Sequence, residues 1–413
     1  MEKNVELLDQ ALIAENLYDD GSHFWFTGFE YNALFKMDKR DGQVELIGVF
    51  PNENFIWQRQ YISTVRYNET LYFVPFSANE IAEYNMENGI FGKISVDLFD
   101  RGAYQTKGRC KFFRAVVVND KIYFIPFYYP GILCYEPKNG SLTCITDWIE
   151  GIESVRVSEW GYFIEYEQVG DRLILPCACA DAVVIFDVET QTSRVMRTHH
   201  TGYACKFCGI SYINDYYYLV SADGMVSKRR LETEDEDTIT VAMPQSDSEN
   251  DFDKIEFYPV RNMGGSIYFF PYQKNDGYKL DTGTNGITRM ESFCDEKSFA
   301  GGNFSFLTAM LNGGKVYTFT GNSRRFMELD LEHESKKETK LFLAGMDRTV
   351  LMNHKKRDFI KRIFREPLME NDFDSLTFAL ETLCMENEFG EVAKNRKVFG
   401  NGNKIYDSLI LSL

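Results

Sequence analysis

The sequence predicts an all-β protein: a seven-bladed β-propeller of four-stranded blades carrying a short α-helical C-terminal tail. Three observations predict it. A strand-turn-strand unit recurs about every 49 residues. An aromatic residue stands seven positions before the turn in six of the seven units. The alternating apolar pattern then stops near Leu343 and helical periodicity takes over. Short-strand repeats of this length stack as blades around a ring, because none can bury both of its faces alone.

The turns set the register. They are Asp20-Gly21, Asn68-Glu69, Asn119-Asp120, Gly170-Asp171, Asn214-Asp215, Gly264-Gly265 and Gly313-Gly314, at spacings of 48, 51, 51, 44, 50 and 49 residues. These residue types accept the positive φ that a tight hairpin between twisted strands demands. Seven positions upstream stand Tyr61, Phe112, Phe163, Phe207, Phe257 and Phe306, with Ile13 in the first unit. After each turn comes an apolar strand, such as Leu71-Tyr72-Phe73, Ile122-Tyr123-Phe124 or Ile267-Tyr268-Phe269, suited to burial on both faces. A third strand leads to a second turn at Asp41-Gly42, Asn88-Gly89 or Asn139-Gly140. The outer strand, as in Gln43-Val44-Glu45-Leu46-Ile47, is the most polar. Residues 1–344 form the ring in this reading, and residues 1–9 are candidates for an added outer strand that closes it.

Composition narrows the function classes. The net charge of −17 argues against a nucleic-acid-binding ring, which needs a basic face. Residues 345–413 hold 11 basic and 11 acidic residues, so the ring carries the whole −17. The amino terminus lacks a basic stretch followed by an apolar core, and no apolar run approaches the roughly 20 residues of a membrane helix. The expectation is a cytoplasmic protein with nine reduced, mostly buried cysteines. In the tail, Phe359, Ile360, Ile363 and Phe364 share one helical face amid basic residues, and Glu366-Pro367 ends that helix. The tail either caps the ring or docks a partner protein or anionic surface.

Two units resemble kelch-type blades. Met263-Gly264-Gly265-Ser266-Ile267-Tyr268 and Asn312-Gly313-Gly314-Lys315-Val316-Tyr317 pair a double glycine with an apolar-Tyr strand. The other five units lack the double glycine, so the resemblance reaches the bacterial and kelch-like propeller superfamily and implies the fold. It implies no function, because propellers serve as scaffolds, lectins, hydrolases and oxidases alike. The ending Gly402-Asn403-Lys404-Ile405-Tyr406 is similar to a Gly-x-x-Ile-Tyr ending of several bacterial glycan-biosynthesis proteins.

The candidate site is the mouth of the central channel. One residue before the aromatic row runs a polar row of Gln60, Lys111, Tyr162, Lys206, Glu256 and Ser305, broken by Leu12 in the first unit. Arg59, Arg109, Trp160, Lys254 and Asn303 stand nearby. Two residues after the aromatic, in adjacent blades, are Arg114 and Glu165. Converging donors among aromatics suit a sugar or an anionic metabolite. The plainer account is that strand starts meet solvent and that Arg114 pairs with Glu165 for structure alone.

Other constellations carry less. His199, His200, Cys205 and Cys208, with Cys177 and Cys179 one blade earlier, have zinc-like residue types, but Cys205 and Cys208 three apart on a strand point to opposite faces. The acidic stretches 232–237 and 247–253 lack the glycine and the terminal glutamate of a calcium loop and read as solvated loops. No catalytic residue, metal or cofactor is assigned.

The leading expectation is a non-enzymatic binding or scaffolding propeller for a carbohydrate-like or anionic ligand, or a protein, at the channel mouth. One alternative is a carbohydrate-active lyase or glycoside-processing enzyme using Glu165 or Glu256 beside Arg114. Another is an assembly module acting through the tail 345–413.

Overall fold

The computed structural model describes residues 11–51, 53, 55, 58–96, 110–198, 207–221, 225–230, 239–242, 255, 257–273, 276–293, 305–343 and 345–354. Residues Ala11–Phe342 form one compact unit, and residues 1–10 with 343–413 form a second. In the first unit, seven antiparallel four-stranded sheets follow one another along the chain, each a simple meander. This is the predicted seven-bladed propeller, with blades at 18–48, 61–94, 112–145, 167–197, 207–242, 257–290 and 310–339.

The turn chemistry explains the register. Asn68, Asn119, Asp120, Asn214 and Asp215 have φ between 50° and 66°, and Gly21, Gly170, Gly264, Gly265, Gly313 and Gly314 are also left-handed. Each pair joins the first strand of its blade to the second. The double glycines of blades 6 and 7 supply two successive positive φ values without a Cβ penalty.

The second strands are the driest. Leu71, Phe73, Val74, Ile122, Tyr123, Phe124, Ile125, Leu173, Leu175, Ile267, Phe269 and Phe270 are fully buried. Aromatic rings fill the seams between blades, as in Phe26 against Phe319 at 5.1 Å and Tyr123 against Phe186 at 5.4 Å. Outer strands such as Val44–Gly48 and Ser141–Ile145 alternate towards solvent.

Blade 1 takes all four of its described strands from residues 18–48, so the sheets of blades 1 and 7 do not exchange a strand among the described residues. Side chains lock that seam. Phe24 lies 4.7 Å from Tyr317, and Leu12 N–H donates to Leu341 O. Arg324 donates two bonds to Ala11 O and reaches both oxygens of Glu30 at 2.8 and 2.6 Å. The expected closing strand of residues 1–9 lies outside the described residues.

In the second unit a helix spans 345–354, with Leu351 buried and Met346 and Val350 exposed. The tail helices expected from Lys355 onward lie outside the described residues.

Candidate functional site in the central channel

The innermost strands shape the channel, and a shared irregularity controls what they present to it. Tyr61 faces Pro75, but Ser63 faces Val74; Phe112 faces Pro126, but Arg114 faces Ile125. The same one-residue slip follows Phe207 and Phe257. It also separates the bridges at Phe163 and Phe306 from the strands Glu167–Val169 and Met310–Asn312 that follow them. One extra residue in a strand reverses the facing of every side chain beyond it. The six aromatics of the row are buried, while beyond the slip Ser63, Arg114 and Arg261 border one cavity.

The residues at the slip meet at the axis. Phe113 of blade 3 packs edge-on against Tyr258 of blade 6 at 5.8 Å. It also meets Phe76 and Phe127 at 5.4 and 5.1 Å, and Tyr258 meets Tyr272 at 5.5 Å. All five rings are buried and together form an aromatic plug contributed by blades 2, 3 and 6.

Beside the plug lies a charged cluster. Glu165 of blade 4 accepts from Arg114 Nε at 3.0 Å and Nη2 at 3.1 Å, and from Arg261 Nη1 at 3.2 Å. Arg114 also donates to the Tyr258 hydroxyl and stacks 5.2 Å from that ring. Arg261 is anchored by bonds to Ala309 O at 2.9 Å and Val260 O at 2.7 Å. Burial works against the Glu165 charge, yet the two guanidinium groups outweigh it and hold the carboxyl below its ordinary value. Burial likewise opposes the charge on Arg114, and Glu165 overrides it, keeping the guanidinium protonated.

These groups border a cavity of about 520 Å³ lined from blades 1, 2, 3, 4, 6 and 7. Ser63, Thr64 and Thr308 add hydroxyls to its wall. Glu15, also on the wall, is bound by Arg59 Nε at 2.8 Å, and Arg59 in turn lies 4.7 Å over the Phe76 ring. Glu167 stands two residues beyond Glu165 and faces the same space. Burial pushes its carboxyl up to about 7, the Tyr212 N–H at 3.2 Å and Arg261 opposing and Glu165 assisting. Two arginines thus share one carboxylate. With the Arg59–Glu15 pair neutral, the wall carries one net positive charge while Glu167 is protonated and none once it ionises.

Of the predicted site residues, Arg114 and Glu165 come together, in the pairing expected from their equivalent positions. Gln60, Lys111 and Tyr162 do not join them on the cavity wall. Gln60 is buried, Lys111 donates to Ala78 O at 2.6 Å, and Tyr162 donates to Glu153 at 2.9 Å beneath Arg156. Lys206 and Glu256 lie outside the described residues, as do Cys205, His199, His200 and both acidic stretches. Cys177, Cys179 and Cys208 are buried and form no disulfide among the described residues, and burial raises the Cys177 thiol well above its ordinary value. Among the described residues no cluster of three His, Cys, Asp or Glu side chains could hold a metal. The sequence reading missed Arg261, Glu15 and Glu167. Arg261 sits four residues after Phe257, on the same side of the slipped strand, and that offset is the signal that could have found it.

The ring and its charged axis define the class: a seven-bladed β-propeller with an ionic cluster in its channel. No protein-family model and no curated protein matches the chain. It is similar to the solved structure of Saccharomyces cerevisiae Sqt1, at 9% identity and a TM-score of 0.56 over 81% of this chain and 86% of that one. It is also similar to PorZ of Porphyromonas gingivalis, a surface component of the type-IX secretion system, at 12% identity and a TM-score of 0.48. That match covers 81% of this chain and 39% of PorZ, so the chain spans about two fifths of that protein. The designed protein Ika8 is matched at 8% identity and a TM-score of 0.48, over 80% of this chain and 90% of that one. At such identities the likeness conveys the fold alone. Among the described residues no helix is long and apolar enough to cross a membrane.

Proposed function

We propose that this ring is a non-enzymatic binding propeller whose ligand is a small anion of carbohydrate size, held in the channel on the wall formed by Arg114, Glu165 and Arg261. The observation that carries the reading is the convergence of two arginines on a single buried carboxylate. It leaves positive charge facing a cavity inside a chain of net charge −17. A low-dielectric cleft of one sign concentrates ions of the other. The cavity falls within the roughly 300–1,000 Å³ range of small-molecule sites, and its hydroxyl-bearing wall suits a polyol. The reading keeps Arg114 and Glu165 from the sequence and places Arg261, not the polar row, at its centre.

Binding is favoured over glycoside chemistry because both oxygens of Glu165 are taken by guanidinium donors. Three guanidinium bonds hold this carboxylate ionised, which suits a structural anchor better than an acid or base. The buried thiols fit a reducing, cytoplasmic setting, and the double glycines of blades 6 and 7 fit a distant kelch-type kinship.

The test is a thermal-shift comparison of the full chain with glucuronate, galacturonate and glucose 6-phosphate against glucose. A ligand at about 100 times its dissociation constant adds roughly 2.7 kcal/mol. The acidic sugars are expected to raise Tm, glucose is not, and Arg261→Ala abolishes the rise. An equal response to glucose, or none to any acid, counts against the reading.

A further inference from the structure

We propose that the channel ligand carries a carboxylate and is held between Arg261 and a protonated Glu167, so that one proton is bound together with the ligand. The inference rests on the channel being an anion site and adds the ligand's acidic group and a proton to that reading.

The geometry leaves two complementary edges. Arg261 spends Nε on Ala309 O and Nη1 on Val260 O and Glu165. Its Nη2 makes no hydrogen bond among the described residues, although the side chain, 26% exposed, borders the cavity. On Glu167, Oε2 accepts the Tyr212 N–H, while Oε1 makes no hydrogen bond among the described residues. Both residues line the cavity beside Glu165.

Charge balance selects the ligand. The titratable and charged groups bordering the cavity with Glu167 are Glu165 and Tyr166 just before its strand, Arg114 from blade 3, Arg261 from blade 6, and Glu15 with its partner Arg59. Blade 5 offers the Tyr212 N–H, and blades 2 and 7 offer only hydroxyl and apolar groups. With Glu167 protonated, this set holds one excess positive charge, which a monoanion neutralises. A dianionic phosphate would overshoot it and is expected to bind more weakly than a monoanionic sugar acid. An ionised Glu167 would cancel the excess charge and repel the ligand. As a neutral acid, Glu167 instead donates its O–H to one ligand oxygen while Arg261 Nη2 donates to the other, both charge-assisted bonds. The burial that keeps the Glu167 carboxyl up to about 7 makes the neutral form available near neutrality. No covalent step is involved: the proton comes from solvent and leaves with the ligand.

The experiment is calorimetric titration of the full chain with sodium D-glucuronate at about pH 6 and about pH 8, in buffers of contrasting ionisation enthalpy. Affinity is expected to weaken about tenfold per pH unit above the Glu167 titration, with close to one proton taken up per ligand at about pH 8. Glu167→Gln keeps a neutral hydrogen-bond donor and is expected to bind with affinity independent of pH. Arg261→Ala is expected to lose binding at both. Wild-type affinity equal at both pH values with no proton uptake, or an unchanged pH dependence in Glu167→Gln, overturns the inference and leaves the anion site standing. No heat of binding at about pH 6, or full affinity in Arg261→Ala, overturns the anion site itself. The proton count is read on the wild-type chain and does not depend on a variant folding.

Discussion

Replacing Glu165 with Gln asks how much one carboxylate organises the axis of the ring. Glu165 is 6% exposed and accepts three bonds of 3.0 to 3.2 Å from two arginines. Glutamine keeps the shape but removes the charge and turns an amide donor towards a guanidinium donor. Arg114 and Arg261, whose side chains are 12% and 26% exposed, then face each other without a counter-charge. Removing one partner of a buried pair costs about 3–5 kcal/mol. Here the lost charge serves two cations, which raises the cost, while water reaching Arg261 screens part of it, leaving about 3–4 kcal/mol. A ring longer than the 150–250-residue domains that lose about 2–4 °C per kcal/mol should lose about 2 °C per kcal/mol, hence roughly 6–8 °C in Tm. Arg261→Ala should cost less, about 1–2 kcal/mol, because Glu165 keeps both bonds from Arg114. Calorimetry of the full chain at neutral pH measures both. A loss below about 2 °C for Glu165→Gln, or equal losses for the two variants, would refute the argument that Glu165 is the shared keystone. The pH dependence has a definite sign. The Glu165 carboxyl is held below its ordinary value of 4.5, so its stabilisation is present above that pH and is lost as pH falls through the depressed value.

Two further outcomes follow from the same geometry. Arg324→Ala removes four bonds across the seam of blades 1 and 7 and strands Glu30, whose side chain is 9% exposed; about 3 kcal/mol is expected, with faster amide exchange confined first to those two blades. Uniform loss of protection around the ring would contradict the seam account. Glu167→Gln should act on stability with the opposite sign to Glu165→Gln. The folded state holds the Glu167 proton up to about 7, against an ordinary value of 4.5, so the wild type loses stability as pH rises between these values. The variant escapes that loss, and its Tm relative to wild type should climb across this window and level off above it. A difference unchanged between about pH 5 and about pH 8 would remove Glu167 as the titrating group.

Much of the fold was legible because local chemistry and global architecture agree. Asn119-Asp120 and Gly264-Gly265 report a left-handed turn wherever they occur, and the aromatic seven residues upstream repeats the same register. The Arg114–Glu165 pair was legible for the same reason, since both stand five residues before their turns in neighbouring blades. The rest of the site was hidden by the slip after each aromatic. A strand read with unbroken alternation gives Gln60, Lys111 and Tyr162 a common facing towards the channel, yet none of them lines the cavity. Arg261 escaped because it reaches Glu165 from a blade two further round the ring, 96 residues away in sequence. The raised carboxyl of Glu167 depends on burial from several blades at once, which no single repeat encodes.

The central claim, that the channel is an anion site built on Arg261, is tested most directly by a crystal structure of the full chain soaked with glucuronate. The account predicts density for the sugar acid in the cavity, its carboxylate within hydrogen-bonding distance of Arg261 Nη2 and Glu167 Oε1. Ordered ligand bound elsewhere on the ring, with water alone between those two side chains, would contradict it.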